Sequence, residues 1–539
     1  MPTFILVEAV NIYQSVSDTD QLSVIRGSGL LLKEAIDHIK IQFADRLEAL
    51  STGASSGLFL LKDKPSEITK VINSIKCELG KNPYANFVFL VEYCQAEDLL
   101  TAKEKLYTQL RFHQMRSITA VPDRVSNDRR FLNYPCELEG RRIAASDTKR
   151  TVQGRTRQLA QSVFERLEFG RERRQDLYFQ EGDKEELSVL KDYRFSDDLE
   201  SLAKTFDYPK LNNKIAVVYM DGNKFTEIQR QTLERAKQPG EMNQAQIQFD
   251  KTIQKERSNF LRDTLLAMVD PASSRFPDAV YENDKKEKVI RFETLLWGGD
   301  EMLFVLPDWF GFEFLQYFFQ KSSQWAPVGD ERLTHSAGLV FCHAKSPIHR
   351  IRELAKSLAD TMKNELGDNR KQNVWDYIVL ESIDYPGNKD IAEFNGMRFG
   401  HLAAHRPKTI RAPRDWNSLK PMLNELIGES LLSRRQLYKI AETIQAQPKR
   451  IGANCLYWQQ LSKPDAIDRT KCTEQERAEH RMLMLLKKEQ RESLTEKAPV
   501  LAKELFNLEL DGLHSRACFW FHLIELWDYL LPQKNRPQS

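Results

Sequence analysis

The sequence predicts an α+β fold in which two helix-backed sheets are joined by a largely helical linker and followed by a helical C-terminal region. Short apolar, β-branched runs alternate with helical patterns from Phe4 to Arg111, and again from Lys214 to Leu380. Beyond Trp416, leucines and aromatics recur three and four residues apart as far as Tyr529, the pattern of a helical bundle. These shifts set the expected domains at 1–119, 120–206, 207–390 and 391–539.

A chain of 539 residues has room for about three or four domains, and a 41% hydrophobic content is enough to fill their cores. A net charge of +2 excludes a generally basic nucleic-acid coat but leaves room for local basic patches. The 7 cysteines form no CxxC pair and no disulfide-like spacing, as expected for reduced thiols in a cytoplasmic protein. The N-terminus lacks a basic leader, and no stretch approaches the roughly 20 apolar residues of a membrane span, so no membrane partner is expected.

In the first domain Phe4 to Val7, Gly57 to Leu61 and Asn86 to Tyr93 read as strands. Val24 to Lys40, Ile68 to Gly80 and Ala96 to Arg111 read as helices. The β-α-β-α-β-α order suits a ferredoxin-like sheet. Its turn Gly53-Ala54-Ser55-Ser56-Gly57 carries no acid, and Glu8 is its only acid at a strand end, so metal chemistry is not expected there.

The linker opens with the breakers Pro122, Asn127, Asn133 and Pro135, and then arginines accumulate on a largely helical pattern from Arg141 to Arg174. Glu165, Glu168, Glu172 and Asp176 interleave with them. Two readings stand: a solvated helix face laced with ion pairs, or a phosphate-tracking surface around Arg171, Arg173 and Arg174 for RNA or a nucleotide.

The central domain carries the chemistry. Lys214 to Asp221, KIAVVYMD, is a run too short for a helix that ends on a carboxylate, and Gly222-Asn223-Lys224-Phe225 turns the chain towards a helix. The stretch VIRFETLLWGGDEMLFVLP, Val289 to Pro307, reads as a hairpin with Gly298-Gly299-Asp300-Glu301 at its tip. Paired glycines can supply positive φ and let a phosphate approach the backbone, while adjacent carboxylates offer hard oxygen ligands for Mg²⁺. A strand-end acid beside a hairpin-tip acid is what two-metal nucleotidyl transfer requires. Gln246 to Met268 and Phe312 to Gln320 are expected helices, His335 to Lys345 a strand, Pro347 to Lys363 a helix with Lys356 and Lys363 off its apolar face, and Val374 to Leu380 a last strand before a break at Tyr385-Pro386-Gly387. In the C-terminal region the charged stretch Glu474 to Lys497 reads as exposed helix, and Trp520, Phe521 and Trp527 as core.

VVYMDGNKF, LLWGGDEMLFVLP and HSAGLVFCHAKSPIHRIRELAKSLADTMK together resemble the second palm of the CRISPR polymerases, the large subunits of type III CRISPR effector complexes, and more distantly the GGDEF-type nucleotidyl cyclases. IRGSGLLLKEAI resembles that family's first, degenerate palm, FGRERRQDLY the segment before its second palm, and CELEGRRIAA its zinc-knuckle region. Cys136 has no cysteine nearby with which to hold zinc, and no His-Asp dipeptide marks the HD nuclease domain of many relatives. The turn here is GGDE where the family usually has GGDD, and Asn223 stands where a second aspartate is often found.

The resemblance implies a two-palm cyclase that condenses nucleoside triphosphates, ATP favoured, into a cyclic oligonucleotide messenger of antiviral defence. It implies two Mg²⁺ or Mn²⁺ ions held by Asp221, the Gly222 carbonyl and Asp300, with Glu301 binding or orienting the second ion. Gly298, Gly299, Asn223 and Phe225 would meet the substrate, and Lys363 would neutralise the triphosphate. RNA or effector subunits would be its partners. Two rivals remain: a non-catalytic scaffold that binds RNA or subunits through the basic segment and the helical bundle, and a diguanylate cyclase, disfavoured because Met302 follows Glu301. Oligomeric state is not legible in these residues.

Overall fold

Strand β1 (Thr3–Val10) is apolar on both sides and occupies the interior of the N-terminal sheet. Ile5, Val7 and Ala9 point into one core and Phe4, Leu6 and Val10 into another, as the period of two dictates. A single turn α1 (Tyr13–Val16) and the long α2 (Leu22–Gln42) follow, then β2 (Leu47–Thr52), β3 (Ser56–Leu61), α3 (Ile68–Leu79), β4 (Val88–Gln95) and α4 (Leu99–Gln114). The strands pair antiparallel in the order β2-β3-β1-β4, with α2 and α3 over one face and α4 over the other. The element order is therefore βαββαβα, and β2 was not expected. Its buried residues Leu47 and Leu50 are three apart because the register shifts at a bulge between Ala49 and Ser51, so LEALST imitates a helical spacing.

This computed structural model describes the whole chain except residues 119–133, 146, 153, 183–184, 237, 328–331, 381–389, 429–487, 511–512 and 535–539. The breakers expected at 122–133, the Tyr385-Pro386-Gly387 break and most of the expected helical region between 429 and 487 lie outside the described residues.

The basic segment is less helical than its charge pattern predicts. Lys149 to Gln158 forms a hairpin, β5 (Lys149–Val152) with β6 (Arg155–Gln158), turned through Gly154 at φ +72°. Helix α5 (Gln161–Glu172) then packs against α2 so closely that a Cβ on Gly27 would run into the Arg166 carbonyl and one on Gly170 into the Ser23 carbonyl. Short elements α6 (Asp176–Glu181), β7 (Tyr193–Phe195) and α7 (Leu199–Ala203) lead into the central domain.

There β8 (Lys214–Gly222) is buried along eight of its nine residues and is followed by α8 (Phe225–Glu234) and the 31-residue α9 (Pro239–Val269). The stretch expected to run as one strand up to Trp297 is divided. β9 (Val280–Glu282) and β10 (Lys288–Ile290) join β7 in a small sheet, and only β11 (Glu293–Trp297) enters the main one. After the tip come β12 (Glu301–Pro307), α10 (Gly311–Ser322), β13 (His335–His343), α11 (Ile348–Leu366), β14 (Val374–Val379), α12 (Ile391–Phe399), β15 (Ile410–Arg411) and α13 (Trp416–Leu423). The sheet order is β11-β12-β8-β13-β14-β15, and its first four strands repeat the topology of β2-β3-β1-β4.

Helix α11 covers one face of this sheet, α9 and α10 the other. The helices Lys488–Phe506 and Leu513–Leu530 extend the second core, where Tyr529 stacks on Phe341 at 4.0 Å and Trp520 is buried as expected. Among the described residues no helix is long and apolar enough to cross a membrane.

Candidate active site

Asp221 is the penultimate residue of β8, directly opposite Glu301 of β12 on one side and Ser336 of β13 on the other. Tyr219 precedes it by two residues and shares its face, the one covered by α11, so that helix supplies the site's lysines. The Lys363 ammonium pairs with the Asp221 carboxylate, and both side chains are nearly buried. One end of α11 thus neutralises the end of β8.

The glycine turn is tied to the same place. The Gly222 amide donates to the Asp300 carbonyl at 3.2 Å, and the Gly298 amide to the Glu301 carbonyl at 2.8 Å. A Cβ on Gly222 would lie 2.8 Å from the Asp300 Cβ, so only glycine lets Asp300 settle over the strand end. The turn does not use the left-handed backbone expected of its paired glycines, since neither Gly298 nor Gly299 has positive φ. Space matters at Gly298, where a Cβ would sit 3.1 Å from the Glu301 carbonyl, whereas one on Gly299 would make only ordinary contact with the Phe225 ring at 3.9 Å. Phe225 rests edge-on against Phe249 of α9 at 5.2 Å and forms a floor beneath the turn.

Bringing the acids together perturbs both. Burial, reinforced by the Asp221 charge, pushes the Asp300 carboxyl up to about 7. Burial also raises Asp221, against the downward pull of Lys363. Glu301 has different partners: it accepts from the Tyr219 hydroxyl at 2.9 Å and pairs with Lys356 at 3.5 Å. Among the described residues no group of three or more His, Cys, Asp or Glu side chains is arranged to hold a metal ion. The reason is local, because Lys363 covers Asp221 and Glu301 is turned towards Tyr219 and Lys356.

Asn223, expected to meet the substrate, has its side-chain amide engaged by protein partners. It is 1% exposed, donates through its amide to Thr334 Oγ1 at 3.1 Å and the Gln372 carbonyl at 3.3 Å, and accepts from the Ser336 hydroxyl at 2.8 Å. Its side chain is the pin that locks the β8 end to β13. Arg174, expected on a phosphate-tracking surface, is turned inward: its side chain is 11% exposed and pairs with Asp197 at 2.7 Å and with Glu293 at 3.7 Å. It joins a buried pair in which Arg26 Nε donates to Glu293 at 2.7 Å. Arg173 pairs with Asp176 at 2.8 Å, and Arg171 donates to the Thr151 carbonyl at 2.9 Å, so this segment is laced with internal pairs.

The sequence assigns no site role to three side chains beside the acids, although it places Lys356 on the polar face of its helix. Tyr219 was accessible through the strand period and Lys356 through its seven-residue offset from Lys363, two turns along one helix face. Arg257 of α9 donates to the carbonyls of Gly298 and, at 3.2 Å, Gly299, and nothing in its local sequence signals this contact. Beside Glu301 lies a cavity of about 300 Å³ lined by Tyr219, Trp297, Glu301 and Lys356 and, from the N-terminal domain, Tyr13, Gly29 and Ser55. The acid-free hairpin tip of one sheet therefore faces the acid-bearing tip of the other.

Residues 214–372 match the family model described as Cas10/Cmr2, second palm domain. The central domain is a Cas10-type second palm. The matched span of this Cas10-type palm starts with β8 and ends before β14, so it contains Asp221, Asp300, Glu301 and Lys363. No curated protein matches the chain. Among solved structures it is similar to Csm1 of T. onnurineus, at 11% identity and a TM-score of 0.47, with 89% of this chain and 67% of that one covered. It is also similar to the Csm1-Csm4 cassette in complex with cA4, at 11% identity and a TM-score of 0.44 over 97% and 70% of the two chains. A third similarity is to that cassette in complex with AMPPNP, at 13% identity and a TM-score of 0.42, with 84% of this chain and only 63% of that one covered.

Proposed function

We propose that the chain condenses nucleoside triphosphates, ATP favoured by the family resemblance, into a cyclic oligonucleotide as a subunit of a CRISPR effector complex. The observation that carries this reading is the convergence of Asp221 and Asp300 on one strand end beside Lys363, with both carboxyls raised by burial. Buried acids held above their ordinary values form a site short of positive charge. Such a donor set, with the Gly222 carbonyl beside it, fits Mg²⁺ or Mn²⁺, and the Lys363 ammonium stands at present where a cation would. When bound, two divalent ions would make the attacking 3′-hydroxyl more acidic and offset charge on the triphosphate.

In the condensation an O3′–P bond forms at the α-phosphorus, the bridging bond to the β-phosphate breaks, pyrophosphate leaves and the hydroxyl proton passes to solvent. The chain's contribution is placement. The Gly298–Gly299 turn leaves room for phosphate near the backbone, Asp221 and Asp300 supply fixed negative charge, and Lys363 can exchange its contact with Asp221 for one with the triphosphate. Glu301, already held by Tyr219 and Lys356, plays an orienting part.

Incubation of the purified chain with each labelled triphosphate and Mg²⁺ or Mn²⁺, followed by mass spectrometry, tests the reading. A cyclic oligoadenylate is expected from the wild type, none from Asp221→Ala or Asp300→Ala, and a reduced yield from Glu301→Ala. Undiminished product from Asp300→Ala would overturn the assignment.

A further inference from the structure

The GGDE turn hangs on a residue far from it in sequence. Arg257, 6% exposed, donates to the carbonyls of Gly298 and Gly299, pairs with Glu181 at 3.5 Å and lies over the Trp297 ring at 4.7 Å. Glu181 accepts from the Trp297 indole at 2.8 Å and pairs with Lys33 of α2 at 3.1 Å. Both carbonyls that precede Asp300 are therefore held by one guanidinium, which is itself held by a carboxylate tied to the N-terminal domain.

The helix that carries Arg257 grips the opposite tip as well. Asp250 accepts from the Thr52 amide at 3.2 Å, beside the Gly53 turn of the N-terminal sheet. It also accepts from Gln246 at 2.8 Å, and Gln246 in turn accepts from Lys103 of α4 at 3.2 Å. Asp250 and Arg257 are seven residues apart on α9, two helical turns along one face, or roughly 10 Å. The two hairpin tips that border the cavity are thus fixed to one rigid bar.

We propose that Arg257 is a positioning residue for the acid turn, and that α9, by holding Thr52 through Asp250 and the turn carbonyls through Arg257, sets the spacing of the two palms around the substrates. This rests on the nucleotidyl-transfer reading for its catalytic consequence, though not for its structural one. Guanidinium geometry is specific here: one nitrogen donates to both carbonyls while another faces the Glu181 carboxylate, a span that the single ammonium nitrogen of a lysine does not cover.

The test uses the full chain carrying Arg257→Ala, Arg257→Lys or Glu181→Gln, with two independent readouts. Hydrogen exchange at the Gly222 and Gly298 amides, which bond to Asp300 and Glu301, is expected to quicken about tenfold in Arg257→Ala and less in the other two, with protection of the β8–β13 ladder retained. At saturating triphosphate, Arg257→Ala is expected to lose about ten- to a hundredfold in rate while its half-saturating concentration stays within about threefold, and added methylguanidinium should recover part of the rate. Unchanged exchange at both amides, or a loosened turn with an undiminished rate, would overturn the proposal. Should the wild type form no product with any triphosphate, the functional reading fails, and the exchange measurement alone decides whether Arg257 positions the turn. If the alanine variant does not fold, the lysine and Glu181→Gln variants carry the same comparison.

Discussion

The Lys363 ammonium lies against the Asp221 carboxylate at the end of β8 and pulls the carboxyls of both Asp221 and Asp300 downward against the effect of burial. One lysine thus serves as the site's counter-charge and, on the function proposed above, as the group that exchanges Asp221 for the triphosphate. Lys363→Met is expected to abolish product formation. In the absence of divalent ions it should also lower the melting temperature by a few degrees, because it leaves a buried acid unpaired. Product formation above a tenth of the wild-type rate would show that Asp221 needs no such partner.

Asp300 makes stability depend on pH and on divalent ions. Its folded carboxyl titrates at about 7 against an ordinary value of 3.8, so the folded state holds the proton more tightly than the unfolded one. The stability this contributes is complete below about pH 4 and declines as pH rises to about 7, by on the order of 2 kcal/mol after discounting for solvent screening. Thermal melts of the metal-free chain across this window should show the decline in the wild type and a smaller one in Asp300→Asn, where Asp221 and Asp250, also raised by burial, still titrate. Saturating Mg²⁺ or Mn²⁺ should cancel it.

A side chain on Gly222 would displace Asp300. The alanine Cβ would stand 2.8 Å from the Asp300 Cβ, so the Asp300 side chain must shift away from the strand end. Gly222→Ala is expected to keep the fold and to lose about a hundredfold in rate. Circular dichroism and product assays measured on the same preparation will separate the two effects.

Asn223 should behave as a structural residue. Truncation to alanine removes bonds to Thr334, Gln372 and Ser336 at a position 1% exposed and leaves their polar atoms without this partner. A loss of about 2–3 kcal/mol in denaturant unfolding is expected, with no change in the half-saturating triphosphate concentration of the protein that remains folded. A selective rise in that concentration would return Asn223 to the substrate.

By itself the sequence determined the alternation that builds both sheets, the acid at the end of KIAVVYMD, the acid-bearing hairpin tip and the lysine helix, because each is a local pattern of period, turn chemistry or charge. It even placed the acid-free turn Gly53 to Gly57 where the second hairpin carries its aspartate. Only the tertiary structure decided how these pieces are used. The bulge in β2 disguised a strand as a helical spacing, and the junction after Ile290 sent one apolar run into two sheets. Burial turned Asn223 into a pin and drew Arg174 inward to Glu293. The clamp of Arg257 on the turn spans some forty residues of chain, and hydrogen bonds across such a separation follow from where helices pack, which no local pattern encodes.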